Sequence, residues 1–267
     1  MAAESDGMPY ALGVPCVPGA PSWVSLLSRD PDASRRFYGE LLGWEFQSVD
    51  EREGSYSYAT VQGVSIAGVG AVPSGWRGAP TWTVFFGVAD IDAAVRRTRE
   101  RLGTVGIGPL DLSSGRVAVA VDPDNAVFGL WQGEPGPART LRMSGAPSWM
   151  ELSTDAFAAA LFYGAVLDWA VQDRSALDVS WENERVVLRA AGRRIAALRT
   201  AEPTASALPE RPVWRVFFSV GSADAAAGHA SRLGGTLIAP IESTPYGRVA
   251  RLRDPEGTQF SLISADG

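Results

Sequence analysis

The sequence predicts an α+β protein built as two tandem copies of one domain. Three observations predict it. An internal repeat runs through nearly the whole chain, each copy mixes helix-period with strand-period segments, and a stretch rich in Gly and Pro separates the copies. The repeat is carried by four matches in one order. Pro21-Ser-Trp-Val-Ser-Leu26 matches Pro147-Ser-Trp-Met-Glu-Leu152, and Phe37-Tyr-Gly-Glu-Leu-Leu-Gly-Trp44 matches Phe162-Tyr-Gly-Ala-Val-Leu-Asp-Trp169. Trp82-Thr-Val-Phe-Phe-Gly-Val88 then matches Trp214-Arg-Val-Phe-Phe-Ser-Val220. Gly115-Arg-Val-Ala118 with Asp122-Pro123 matches Gly247-Arg-Val-Ala250 with Asp254-Pro255.

The first copy reads in order as strand, helix and strands, performed twice. Ser22–Ser28 alternates as a half-buried strand does, and Asp30-Pro-Asp opens a helix running through Leu42. Ser34, Phe37 and Leu41 fall on one side of that helix, the spacing of a packed face. Strands follow at Ser55–Val61 and Val64–Val72, joined at Gln62-Gly63. Thr81–Val88 begins the second half, with Asp90–Leu102 as its helix. Arg116–Val121 and Val127–Gln132 close it around Asp122-Pro-Asp-Asn, a strong turn signal. The expected domains are residues 17–133 and 145–265, linked by Gly133–Gly145.

Composition narrows the function. With 267 residues the chain is long enough for two cores, and 46% hydrophobic with 20% charged residues is ordinary for globular domains. A net charge of −6 speaks against a nucleic-acid partner, which requires a basic face. No apolar run approaches the roughly 20 residues that span a bilayer, no signal-peptide pattern opens the chain, and Cys16 alone cannot form an internal disulfide. The expected location is therefore cytoplasmic. All 24 basic residues are arginine, so lysine Schiff bases and a Walker-type lysine are excluded. The one histidine, His229, lies in the alanine-rich helical stretch Ala225–Leu233, a position suited to packing or the surface. No convincing Gly-rich dinucleotide loop is present, and no cofactor is expected.

The order of these motifs resembles the vicinal oxygen chelate superfamily, which holds glyoxalases, bleomycin-resistance proteins and extradiol dioxygenases. The residues carrying the likeness are Asp30…Phe37-Tyr38…Gly43-Trp44, Ala89-Asp-Ile-Asp-Ala-Ala94 and Asp122-Pro…Phe128-Gly-Leu-Trp131. Asp155…Phe162-Tyr163…Trp169 and Asp254-Pro-Glu-Gly257…Phe260 repeat it in the second copy. The resemblance implies four βαβββ modules, paired into two glyoxalase-like domains whose sheets curl into cups.

In metal-dependent members, four strand positions per cup supply ligands. Carried over, those positions hold Trp23, Thr83 and Gly129, with the fourth near Gly68, and Trp149, Arg215 and Ser261, with the fourth near Ala197. None is imidazole, thiolate or carboxylate, so no metal site is expected. Strand parity aims Trp23, Ser25, Thr83, Phe85, Gly129 and Trp131 into the first cup, with Gly129 expected to leave room for a ligand. It aims Trp149, Glu151, Arg215, Phe217, Ser261 and Gln259 into the second. Trp82 and Trp214 have the opposite parity and are expected to pack under the helices.

Glu151 and Arg215 are the expected catalytic pair, either satisfying each other or acting as acid–base group and anion stabiliser. Tyr58 is the third catalytic candidate, and it, Tyr56 and Tyr246 are all weaker than that pair, since a phenol titrates at about 10 and needs a perturbing neighbour to act near neutrality. The ligand-binding candidates are Trp23, Ser25, Phe85, Trp131, Trp149, Phe217, Ser261 and Arg248, the last repeated as Arg116 and equally suited to tying a strand to a loop. The resemblance and the aromatic cups imply a metal-free tailoring enzyme of an aromatic, polyketide-like natural product, by dehydration, cyclisation or isomerisation. The alternative is a self-resistance protein that sequesters such a compound; cofactor-free hydroxylation is a third reading. The expected partner is an aromatic small molecule, on a monomer or homodimer.

Overall fold

A computed structural model describes residues 17–48, 56–72, 78–133, 143–171, 176–201 and 212–265. Most of the expected linker Gly133–Gly145, together with Cys16 and Ser55, lies outside the described residues.

The first half runs β1 (Pro21–Ser28), α1 (Pro31–Leu42), β2 (Glu45–Ser48), β3 (Ser57–Val61) and β4 (Val64–Ala71). It continues through β5 (Thr81–Gly87), α2 (Ile91–Glu100), β6 (Thr104–Leu112), β7 (Gly115–Val121) and β8 (Val127–Gly133). The second half repeats the plan as β9 (Pro147–Thr154), α3 (Ala156–Val166), β10 (Leu177–Glu182), β11 (Arg185–Ala190) and β12 (Arg193–Thr200). Then come β13 (Trp214–Ser219), α4 (Ala223–Arg232), β14 (Thr236–Leu237), β15 (Glu242–Thr244), β16 (Gly247–Arg253) and β17 (Gln259–Ser264). β2 and β6 are strands that the sequence pattern does not announce. Glu45–Ser48 is mostly exposed and short, and Thr104–Leu112 is an edge strand with no fully buried residue, so neither shows a hydrophobic alternation.

Each half forms one open sheet. The strand order is β2-β3-β4-β1-β5-β8-β7-β6 in the first and β10-β11-β12-β9-β13-β17-β16-β14 in the second, with β15 on β16. Within each module the opening strand pairs parallel with the last, as β1 does with β4 and β5 with β8, because a helix crossover intervenes. The two modules of a half then join antiparallel through β1·β5 and β9·β13. The helices start where the sequence placed them: Asp30, Asp90 and Asp155 each cap by accepting backbone N–H bonds from the first turn. Gly43 ends α1 with a left-handed φ of 70°, a conformation glycine adopts without a Cβ clash.

The two sheets lie back to back. Trp82 packs on Phe218 with ring centroids 5.2 Å apart, and Phe86 packs on Trp214 at 5.2 Å. These side chains are fully buried and, as expected, lie under helices: Tyr38 of α1 meets Trp82 at 5.3 Å and Tyr163 of α3 meets Trp214 at 5.4 Å. The odd-numbered side chains of β1, β5, β9 and β13 therefore lie on the outer faces of the two sheets, the faces of the expected cups, which point away from each other.

The repeated Phe-Tyr and Asp-Pro motifs meet across the halves. Tyr38 donates to Asp254 Oδ2 at 3.0 Å and accepts from Trp82 Nε1 at 3.0 Å. Its counterpart Tyr163 donates to Asp122 Oδ2 at 2.9 Å and accepts from Trp214 Nε1 at 2.9 Å. Each aspartate fixes its own turn with the other oxygen, taking the backbone N–H of Ala126 or Thr258 at 2.8 Å. Trp44 Nε1 donates to Gly145 O at 2.8 Å and Trp169 Nε1 to Gly19 O at 2.9 Å, so these tryptophans also reach into the opposite half. The sequence signature is thus largely an interdomain clasp.

Candidate functional site

The first cup is built from two rows of residues that face one another across the ladders. One runs Gln47, Tyr58, Gly68, Ser25 and Thr83; the other runs Trp23, Phe85, Gly129, Val119 and Ile107. Neither row contains a carboxylate, an imidazole or a guanidinium. Trp23, Tyr56, Tyr58, Phe85 and Trp131 are all half-buried, while Ser25 and Thr83 on the same face are buried.

Tyr56 is the centre of this face. Its hydroxyl accepts from Trp23 Nε1 at 3.1 Å and lies 3.1 Å from Ser25 Oγ. A Cβ on Gly68 would stand 1.7 Å from the same hydroxyl and one on Gly70 would stand 2.7 Å from the ring, so both glycines are seats for Tyr56. Tyr58 packs edge-on against Tyr56 at 5.7 Å and Trp23 at 5.9 Å. Gly129 has the same use on the other module: a Cβ there would stand 2.1 Å from Phe85 Cδ1. The room expected over Gly129 is taken by the Phe85 ring rather than left for a ligand. Tyr58 of β3 is the expected catalytic tyrosine, yet Tyr56, just before that strand, makes the central hydrogen bonds. Its parity, two residues before Tyr58, is the signal that marks it.

The second cup is charged. Its row runs Ser180, Val187, Ala197, Glu151 and Arg215, with Trp149, Phe217, Ser261 and Arg251 beside it. Glu151 and Arg215 face each other across β9 and β13, and both are buried. Glu151 Oε1 accepts from Arg199 Nε at 2.8 Å, and Arg215 NH2 reaches Gln259 Oε1 at 3.5 Å. Arg199 was not among the expected residues; it sits two positions past Ala197 on the same face, and strand parity is the signal that finds it. Arg189 holds Glu182 at 2.8 Å, with Ser180 Oγ on the same guanidinium, and the pairing draws the Glu182 carboxyl down to about 2. At the mouth, half-buried Trp149 stacks on Tyr246 at 6.2 Å, and the Arg194 guanidinium lies 5.5 Å from the Tyr246 ring centre.

The structure distributes the expected site residues over different places. Tyr58 stands in the first cup and Glu151 with Arg215 in the second, so the three do not converge on one site. Arg248 leaves the cup altogether: it holds Asp224 in the first turn of α4 through Nε at 2.6 Å and NH2 at 2.9 Å. Arg116 does the same to Asp92 of α2, at 2.7 and 3.1 Å. Both arginines share the parity of the buried Ala118 and Ala250, which is the helix side of the sheet. Trp23, Ser25, Phe85 and Trp131 line the first cup, and Trp149, Phe217 and Ser261 the second, where parity places them.

The donor sets do not fit a divalent metal. Pairing puts Gly68 beside Ser25 and Ala197 beside Glu151, which completes the two sets as Trp23, Gly68, Thr83, Gly129 and Trp149, Ala197, Arg215, Ser261. Glycine and alanine bring no donor, indole nitrogen donates rather than ligates, and a guanidinium repels a cation. Among the described residues no group of three or more His, Cys, Asp or Glu side chains is gathered for a metal. No helix among them is long and apolar enough to cross a membrane.

Comparison with known proteins agrees with this architecture. Residues 20–130 match the model of the Glyoxalase/Bleomycin resistance protein/Dioxygenase superfamily, and residues 150–263 match that of a glyoxalase-like domain. The chain is 34% identical to CFP32 of Mycobacterium tuberculosis, whose name assigns it provisionally as a glyoxylase; the match covers 92% of this chain and 94% of that one. It is 35% identical to the anthracycline biosynthesis protein DauV of a Streptomyces species, over 92% and 93% of the two chains. Among solved structures, the Mn(II)-bound glyoxalase from Novosphingobium aromaticivorans superposes with a TM-score of 0.58 at 18% identity, covering 94% of this chain and 83% of that one.

Proposed function

Because the chain belongs to the glyoxalase/bleomycin resistance/dioxygenase superfamily, with one such domain in each half, we propose that it acts on a flat, oxygen-bearing aromatic of the polyketide type. Its first cup is the seat of that compound and needs no metal. The observation that carries this is the single face of five half-buried rings around the Tyr56, Trp23 and Ser25 hydrogen-bond cluster. Aromatic walls with a few placed polar groups suit a planar ligand, and a hydroxyl cluster on the floor suits its carbonyl or phenol oxygens. The relative named for anthracycline biosynthesis supports the same class of compound. The chemistry available to such a face is tautomerisation, dehydration or cyclisation, in which Tyr56 bonds to an oxygen whose charge changes.

A second reading is sequestration. It is favoured by the same two rows of the first cup, which offer no carboxylate or imidazole to take a proton.

One experiment separates these readings. The protein is incubated below stoichiometry with anthraquinone-type polyketide intermediates and a chelator, and the products are followed by mass spectrometry. Many turnovers in wild type, cut about a hundred-fold or more in Tyr56→Phe with affinity kept, support catalysis in the first cup. Retention without conversion supports sequestration. Loss of turnover in Glu151→Gln but not in Tyr56→Phe moves the chemistry to the second cup and overturns the assignment.

A further inference from the structure

The second cup holds buried donors that play no part in the chemistry of the first. On its β13–β17–β16 side, Ser261 is completely buried, and its hydroxyl finds no hydrogen-bond partner among the described residues. Directly across the ladder from it stands Arg251, whose Nε is also buried without a partner although its NH2 holds Glu242. On the other side of Ser261, β13 brings Phe217 to its level and Arg215 one step along, tied to Gln259. A buried hydroxyl and a buried guanidinium N–H left unmade are costly in an interior, and such groups call for an explanation such as a bound partner. Both can donate, and the Arg215 guanidinium stands one step along the same face.

The remaining carboxylates of the cup are already held. Glu151 takes Arg199, Glu182 takes Arg189 and Arg194, and Asp178 lies 3.7 Å from Arg189. Phe217 and Trp149 stand beside the donors on the same face, with Tyr246 stacked over Trp149 at the mouth.

We propose that the second cup is a binding site for an aromatic carboxylate, with the carboxylate on Ser261 Oγ, Arg251 Nε and the Arg215 guanidinium and the ring against Phe217 and Trp149. Charge-assisted bonds from guanidinium to carboxylate supply the affinity, and the buried serine hydroxyl supplies a third donor. The site is separate from the first cup and does not depend on the function proposed there.

The test is calorimetric titration of the full chain with benzoate, with its neutral isostere benzamide and with inorganic phosphate. Benzoate is expected to bind at least ten-fold more tightly than benzamide, and more tightly than phosphate. Ser261→Ala and Arg251→Gln are each expected to weaken benzoate about ten-fold. Ser261→Ala also gives a readout that a structural role would not: removing an unsatisfied buried hydroxyl should leave the Tm unchanged or raised while binding falls. Equal affinity for benzoate and benzamide overturns the proposal, as does phosphate binding in preference to benzoate. Undiminished benzoate binding in a folded Ser261→Ala protein overturns it too. The Tyr56→Phe arm of the anthraquinone assay reads the first cup and the Ser261→Ala arm of the benzoate titration the second, so failure of either site is distinguishable from failure of the other.

Discussion

Asp254 and Asp122 occupy the positions where single residues matter most to this molecule. Each is nearly inaccessible, and burial raises its carboxyl above the usual value of 3.8, against the pull of backbone N–H donors and of the tyrosine that reaches over from the other half. Burial and the neighbouring carboxylate likewise push Tyr38 and Tyr163 well above the usual phenol range, so both stay protonated as donors. An acid whose folded value lies above its unfolded value contributes stability that is fully present below the unfolded value. That contribution is lost as pH rises through the folded value. Asp254→Asn keeps an acceptor for Thr258 N–H and removes the ionisation. Its Tm is therefore expected to fall less than that of wild type between about pH 4 and about pH 7. Thermal unfolding at both values checks this, and identical falls would show that Asp254 does not titrate as its burial implies.

Strands β4 and β8 carry glycines whose absent side chains shape the first cup. At Gly129 an added methyl meets Phe85 near the root of the ring, with Cγ 2.5 Å away, so the ring has no simple escape. At Gly68 it meets the hydroxyl tip of Tyr56, the mobile end of the side chain. Gly129→Ala is expected to cost about 1–3 kcal/mol, the usual range for overpacking, and Gly68→Ala less. Gly68→Ala should instead break the contacts of Tyr56 with Trp23 and Ser25 and change the near-ultraviolet circular dichroism. Urea denaturation gives the ranking; equal midpoints for the two variants would contradict this packing. The parity of these strands is legible in the sequence. The direction in which Tyr56 and Phe85 fold over the glycines is not, because it depends on rotamers chosen against neighbouring strands.

For the whole molecule, the hydrophobic core is continuous across both halves. It joins Val24, Trp82 and Phe86 of the first to Met150, Trp214 and Phe218 of the second in one cluster. Aromatic pairs across the join add roughly 0.5–1.5 kcal/mol each beyond the area they bury. Ser28 and Thr154 complete the clasp by donating to Glu256 Oε2 at 2.8 Å and Asp124 Oδ2 at 2.7 Å in the opposite turns. The chain is expected to unfold in one cooperative transition, and residues 17–133 or 145–265 expressed alone are expected not to fold. Calorimetry of the full chain and circular dichroism of the halves test this. Two resolved transitions, or a stable isolated half, would show that the shared core is dispensable.

The duplication, the α+β plan, the helix caps and the residues lining each cup were determined by sequence, since repeats, cap residues and strand alternation are local properties. The absence of ligand-type side chains at the four positions of each cup was likewise readable from composition and motif order. Only the tertiary structure decided that Tyr56 rather than Tyr58 centres the first cup, that Arg199 holds Glu151, and that Arg248 pairs with Asp224 of α4. It also decided that the Tyr and Asp-Pro motifs bind the halves together. These are contacts between residues distant in the chain, selected by which faces pack, and local spacing carries no record of that choice.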